Sequence, residues 1–108
     1  MNETCLTQTE EEILLTIWDL KEDAYLVAIR SRLNRIMEKN LTIGAVHIPL
    51  SKLEKAGLMT SRFGEATPKR GGRRKRIYRL TAAGIAVLKK RMKQKERLWK
   101  SFTESQSY

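Results

Sequence analysis

Arg70, Arg73, Arg74, Lys75 and Arg76 crowd five cations into seven positions, and the two residues between them are Gly71 and Gly72. Like charges packed this tightly repel unless an anion is near, and glycines let a backbone approach that anion closely. The chemistry that such a block suits is binding of phosphates along a polyanion. Little else in the chain suggests a reaction. There is one His and one Cys, and no glycine-rich phosphate loop joins a strand to a helix. The one carboxylate run, Glu10 to Glu12, reads as charge at a helix start. Neither an enzyme, nor a cofactor, nor a metal site is expected.

The charge is uneven along the chain. Of a net +10 over 108 residues, residues 62–79 contribute eight Lys or Arg against Glu65 alone, whereas residues 1–61 hold seven against nine acids. The surplus is therefore concentrated in the second half, where a nucleic acid or an acidic membrane surface would meet it. No stretch approaches the roughly 20 apolar residues that span a bilayer, and the acidic N-terminus lacks the layout of a secretory signal. Cys5 is the only cysteine, so no intrachain disulfide forms. A cytoplasmic chain without a membrane partner is the expectation.

The elements that must position the basic block follow from periodicity. Ile13, Leu14, Ile17, Trp18 and Leu20 predict a first helix from Thr7 to Leu20, with Thr9 and Glu12 in the capping-box relation. Asp23 is suited to cap a second helix whose stripe is Tyr25, Leu26, Ile29, Leu33, Ile36 and Met37. Thr42 is suited to cap a third, with Ile43, Val46, Leu50 and Leu53 inward and a left-handed cap at Gly57. Pro49 interrupts it. A continuous helix kinked at Pro49 is the preferred reading; a strand over Leu41 to Ile48 followed by a short helix from Pro49 is the alternative.

Leu58 to Phe63 and Arg76 to Leu80 predict a β-hairpin whose long tip carries the basic block. Thr81 then caps a last helix that tolerates Gly84 in its opening turn and runs to about Phe102. Ile85, Leu88, Met92, Trp99 and Phe102 form a heptad seam, with Lys95 where an apolar residue is expected. The fold class is mainly α with a small β-hairpin. Residues 6–81 would form a winged helix-turn-helix domain, 82–102 a C-terminal dimerisation helix, and 103–108 a frayed tail. A solvated helix with an apolar seam calls for a partner, and a second copy of the chain is the simplest one.

Three stretches resemble the PadR family of winged-helix regulators. They are Asp23-Ala24-Tyr25 with Ile29-Arg30; Gly44-Ala45-Val46-His47 followed by Leu50 and Leu53 to Leu58; and Arg62 to Pro68 leading through Arg70 to Gly84. The resemblance runs from about Leu6 to Phe102 and is nearest to short members with a single C-terminal helix. Departures from the family pattern are His47 in place of Tyr, Pro49, and Tyr25-Leu26 in place of Tyr-Gly.

The resemblance implies a transcriptional regulator, a repressor and homodimer, that binds double-stranded DNA. Its third helix would read bases in the major groove, with Thr42, Ala45, His47, Ile48 and Lys52 as candidates. Its wing would place Arg70, Arg73, Arg74, Lys75 and Arg76 on phosphates or in the minor groove. Family members that bind flat aromatic compounds do so with residues of the first and last helices, which makes Trp18 and Trp99 candidate effector contacts, although interface packing is the preferred role of Trp99. The rival reading is an RNA-binding or ribosome-associated basic module. Such a module more often displays a platform of aromatics, and only 6% of this chain is aromatic.

Overall fold

The computed structural model describes residues 5–64 and 74–105. Helix α1, Gln8–Leu20, is followed by a 3-10 turn, Lys21–Asp23, then by α2, Leu26–Met37, and α3, Ile43–Lys55. Strands β1, Met59–Phe63, and β2, Arg76–Leu80, precede α4, Ala82–Ser105. The first three helices and the hairpin enclose one core of Leu6, Ile13, Leu14, Ile17, Ala24, Ile29, Leu33, Val46, Leu50, Leu53, Leu58, Met59 and Tyr78. This is a winged helix with a long C-terminal helix. Among the described residues no helix is long and apolar enough to cross a membrane.

Local chemistry explains each boundary, and several lie a few residues from the expected places. The capping box of α1 is Thr7 with Glu10, not Thr9 with Glu12: the Glu10 N–H donates to Thr7 Oγ1 at 3.0 Å and the Thr7 N–H to Glu10 Oε1 at 2.9 Å. Asp23 does not cap α2. It belongs to the 3-10 turn, and Tyr25 takes the cap position without a side-chain bond. The reason is a pull from the hairpin, since the Tyr78 N–H donates to the Ala24 carbonyl at 2.8 Å and Tyr25 pairs with Ile77. Residues 24–25 thus act as a one-bridge third strand. The stripe of α2 is also shorter than expected: Ile29 and Leu33 are buried, whereas Ile36 and Met37 are exposed in the last turn.

Helix α3 runs unbroken through Pro49. The hydrogen bond lost at the proline is offset at both ends and along the buried face. Thr42 Oγ1 accepts from the Ala45 N–H at 3.1 Å. At the other end Gly57, with φ 80°, lets the Leu58 N–H reach the Leu53 carbonyl at 3.1 Å and the Gly57 N–H reach that of Glu54 at 3.0 Å. Val46, Leu50 and Leu53 are buried as their spacing requires, but Ile43, the first residue of the helix, is 40% exposed. The hairpin pairs antiparallel from Met59 opposite Leu80 to Phe63 opposite Arg76.

Lys21 ends α1 with φ 54° and ψ −118°, a conformation that residues other than glycine adopt at a cost of about 1–3 kcal/mol. Lys21→Gly should therefore raise stability by about 0.5–1 kcal/mol, less than the strain because glycine also gains unfolded-state freedom. A melting temperature higher by roughly 2–6 °C is the expected readout. A lower one would mean that the Lys21 ammonium, 4.8 Å from the Trp18 ring centre, contributes more than the strain costs.

Candidate nucleic-acid interface

The exposed side of α3 presents a row of side chains one helical turn apart. Ile48 is 71% exposed, and His47, Lys52 and Lys55 are open to solvent as well. His47 and Ser51, four residues apart and so on one face, line a groove of about 630 Å³ with Tyr25, Leu26 and Val27 from the start of α2 and Glu54 further along α3. Lys75, Arg76 and Tyr78 close its far side. The groove therefore joins the candidate reading helix to the root of the wing.

The wing root is held by cations lying on rings. Lys75 Nζ stands 3.7 Å from the centre of the Tyr25 ring, and the Arg76 guanidinium 4.9 Å from that of Phe63. Arg74 is exposed. Arg70 and Arg73 lie outside the described residues. The one carboxylate that lines the groove among the described residues is engaged, since Glu54 Oε2 accepts from Ser61 Oγ at 2.8 Å. Burial pushes the Tyr78 phenol up, and Glu54 adds to this while Arg76 opposes it, so the phenol remains neutral at physiological pH.

The other expected contacts on α3 have structural duties. Thr42 Oγ1 is occupied as a helix cap, Ala45 is half-buried, and Lys52 Nζ lies 3.2 Å from Glu10 Oε2. Tyr25 and Ser51 join the site without having been expected there. Ser51 is signalled in the sequence only as the residue four beyond His47, whereas Tyr25 reads there as part of the apolar stripe.

Helix α4 is seated on the body by its first half. The Gly84 N–H donates to Thr81 Oγ1 at 3.1 Å, Thr81 Oγ1 donates to the Gly57 carbonyl at 2.7 Å, and Val87 and Leu88 pack on the core. Lys95, the misfit of the heptad seam, turns to α1, where its ammonium meets Glu11 at 2.9 Å and Gln8 Oε1 at 3.1 Å. Arg91 Nε joins it on Glu11 at 2.7 Å. Burial alone would raise the Glu11 carboxyl, but the hydrogen bonds and charges of Lys95 and Arg91 outweigh it and hold the group below its ordinary range. Its contribution to stability is therefore complete near neutral pH and is lost as pH falls through that depressed value.

Beyond Lys95 the helix projects. Leu98 is 77% and Trp99 62% exposed there and Phe102 is also open, as is Met92 before Lys95, so Leu98 joins the seam residues that spacing suggested. The helix continues to Ser105, which makes residues 103–105 helical where a frayed tail was expected. Ile85 lines a second cleft, of about 460 Å³, with Ile17, Trp18 and Leu80. Because Ile85 lies near Trp18 while Lys95 lies near Gln8, α1 and α4 run antiparallel, and Trp18 and Trp99 stand at opposite ends of one chain.

The sequence matches the PadR-like family of transcriptional regulators over residues 13–90, more than half of the chain. A PadR-like transcriptional regulator from Bacillus cereus shares the fold with a TM-score of 0.70 at 20% identity, over 90% of this chain and 88% of that one. A PadR family transcription regulator from Clostridium difficile superposes with a TM-score of 0.61 at 27% identity, over 88% and 95% respectively. A transcriptional regulator from Clostridium thermocellum does so with 0.66 at 22%, over 92% of each. No curated protein matches the chain. With the family match spanning most of α1, all of α2 and α3, the hairpin and the start of α4, this chain belongs to the PadR-like family of transcriptional regulators.

Proposed function

We propose that the chain is a homodimeric repressor that binds double-stranded DNA sequence-specifically, α3 entering the major groove and the wing lying along the adjacent backbone or minor groove. The observation that carries this reading is the single groove that sets His47 and Ser51 of α3 beside Lys75 and Arg76 of the wing root. Bases are addressed by His47, Ser51 and Ile48; Ala45 supplies close approach, and Thr42 and Lys52 contact the backbone while serving their structural partners. Arg74 and Arg76 supply phosphate contacts, and Arg70 and Arg73, adjacent in sequence, are assigned the same role.

The dimer is made by the exposed seam of α4, Met92, Leu98, Trp99 and Phe102, with Ile85 at its root. Leu88 contributes less than its heptad position suggests, because it packs on its own core. Two-fold pairing sets two α3 helices on two half-sites, and occupancy of a promoter by such a dimer blocks transcription. Pairing is also what would bring Trp18 toward the partner subunit's Trp99, so a flat aromatic effector would bind across the dimer and shift the spacing of the reading helices.

Salt dependence tests the wing. Arg74→Ala and Arg76→Ala should each reduce the slope of log affinity against log salt by about 0.9 for every phosphate that the arginine neutralises. His47→Ala, by contrast, should alter sequence preference more than the slope. Unchanged slopes in both arginine variants would remove the wing root from the interface.

A further inference from the structure

Glu10, Glu11 and Glu12 are three consecutive buried carboxylates, and the helical step of about 100° aims each at a different neighbour. Glu10 closes the cap of α1 and meets Lys52 of α3. Glu12 meets Lys39, just past α2, at 2.5 Å and Gln8 Nε2 at 2.9 Å. Glu11 alone reaches α4, accepting from both Arg91 and Lys95. The charge that the sequence explains as a helix start is thus also a hub that fixes the other helices to α1.

Direction in a rod is set by two separated points. For α4 the first is Gly84, which lies so close to the body that an added Cβ would stand 2.1 Å from the Leu58 carbonyl oxygen. The second is the Glu11 pair, which ends at Lys95. At 1.5 Å per residue these points are about 16 Å apart, and the tip at Ser105 lies about 31 Å from the pivot. A displacement at the latch is therefore roughly doubled at Ser105 and enlarged about 1.6-fold at Phe102, the outermost seam residue.

We infer that the Glu11–Arg91–Lys95 cluster is a positioning device for operator choice: it sets the angle of α4 to the reading head and thereby the half-site separation that the dimer accepts. This rests on the dimeric DNA-binding function proposed above. Glu11 touches no DNA in this scheme and acts through α4. Two paired cations on one buried carboxylate define an angle more sharply than apolar packing, because their hydrogen bonds are directional and short. Lys95 lies at the misfit position of the heptad because it turns to this contact.

The test uses the full chain and a palindromic duplex that the wild type selects from a randomised pool, resynthesised with its half-sites moved one or two base pairs closer or further apart. Glu11→Gln keeps the shape and removes the charge; Lys95→Gln is a milder loosening that leaves Arg91 on Glu11 and guards against misfolding of the first variant. The wild type should prefer its own spacing by at least about tenfold, and the variants should lose at least about threefold of that preference. Affinity for an isolated half-site and the dimer dissociation constant should stay within about twofold. A wild-type spacing profile in both variants overturns the positioning role alone. Indifference of the wild type itself to spacing, or a monomer in sedimentation, overturns the dimeric reading and the latch with it.

Discussion

Gly84→Ala should destabilise the protein by about 3 kcal/mol or more, lowering its melting temperature by at least roughly 10 °C. The added Cβ would stand 2.1 Å from the Leu58 carbonyl oxygen and 3.1 Å from its carbon, and these are backbone atoms that cannot swing aside. Leu58 is pinned in turn, since its carbonyl accepts from the Thr81 N–H at 3.1 Å and its N–H closes the end of α3. The substitution thus forces apart the joint where α3, the hairpin and α4 meet. Gly44→Ala is the matched control. Its nearest neighbour would be Thr42 Oγ1 at 4.0 Å, and alanine in a helix is favoured over glycine by about 1 kcal/mol, so this variant should melt higher. Equal melting temperatures for the two, measured by circular dichroism, would contradict the close approach at Gly84.

The second large effect concerns assembly. Trp99→Glu combined with Met92→Glu should weaken the proposed dimer by about 30-fold or more, the loss of about 2 kcal/mol expected on removal of one aromatic anchor. Sedimentation should show monomers at concentrations where the wild type is dimeric, with helix content retained because neither residue supports the chain's own core. Leu88→Glu should behave differently and unfold the chain, since Leu88 packs on that core. A dimer that survives the double variant would place the seam elsewhere, the exposed Leu15 and Trp18 face of α1 being the next apolar surface.

The contrast between Leu88 and Met92 shows how far a sequence can be read. Periodicity finds the helices because burial imposes it on every turn, and the order of helices, hairpin and helix follows directly. Periodicity does not say which partner a stripe faces. Ile85 to Phe102 read as one seam, yet Leu88 packs on the chain's own core and Arg91 and Lys95 are tied to α1, whereas Met92 is exposed and Trp99 and Phe102, on the same face as Lys95, are exposed where the helix runs on past it. The same limit applies to Asp23, a good cap residue by type that is displaced by hairpin pairing at Ala24 and Tyr25 from far along the chain. Gly84 reads as merely tolerated because the carbonyl pressing on it comes from Leu58. At Pro49, tertiary burial of Val46, Leu50 and Leu53 outweighs the local preference to break.

For the candidate site, residue type is the stronger guide. The basic block and its glycines stand out by composition alone, and α3 as the candidate reading helix follows from its place before the hairpin. What needs three dimensions is the pairing of each cation: Lys75 on Tyr25, Arg76 on Phe63, and Lys52 on Glu10. These pairings orient the interface without revealing themselves in spacing.

Specific recognition of double-stranded DNA is tested most directly by fluorescence anisotropy at about 0.15 M salt. The duplex that the protein selects from a randomised pool is compared with a scrambled duplex of equal length, each with and without excess RNA. Binding to the selected duplex about a thousandfold tighter than to the scrambled one, and undiminished by RNA, is the expected result. Equal affinity for both duplexes with displacement by RNA would contradict it and assign the groove between α3 and the wing to RNA instead.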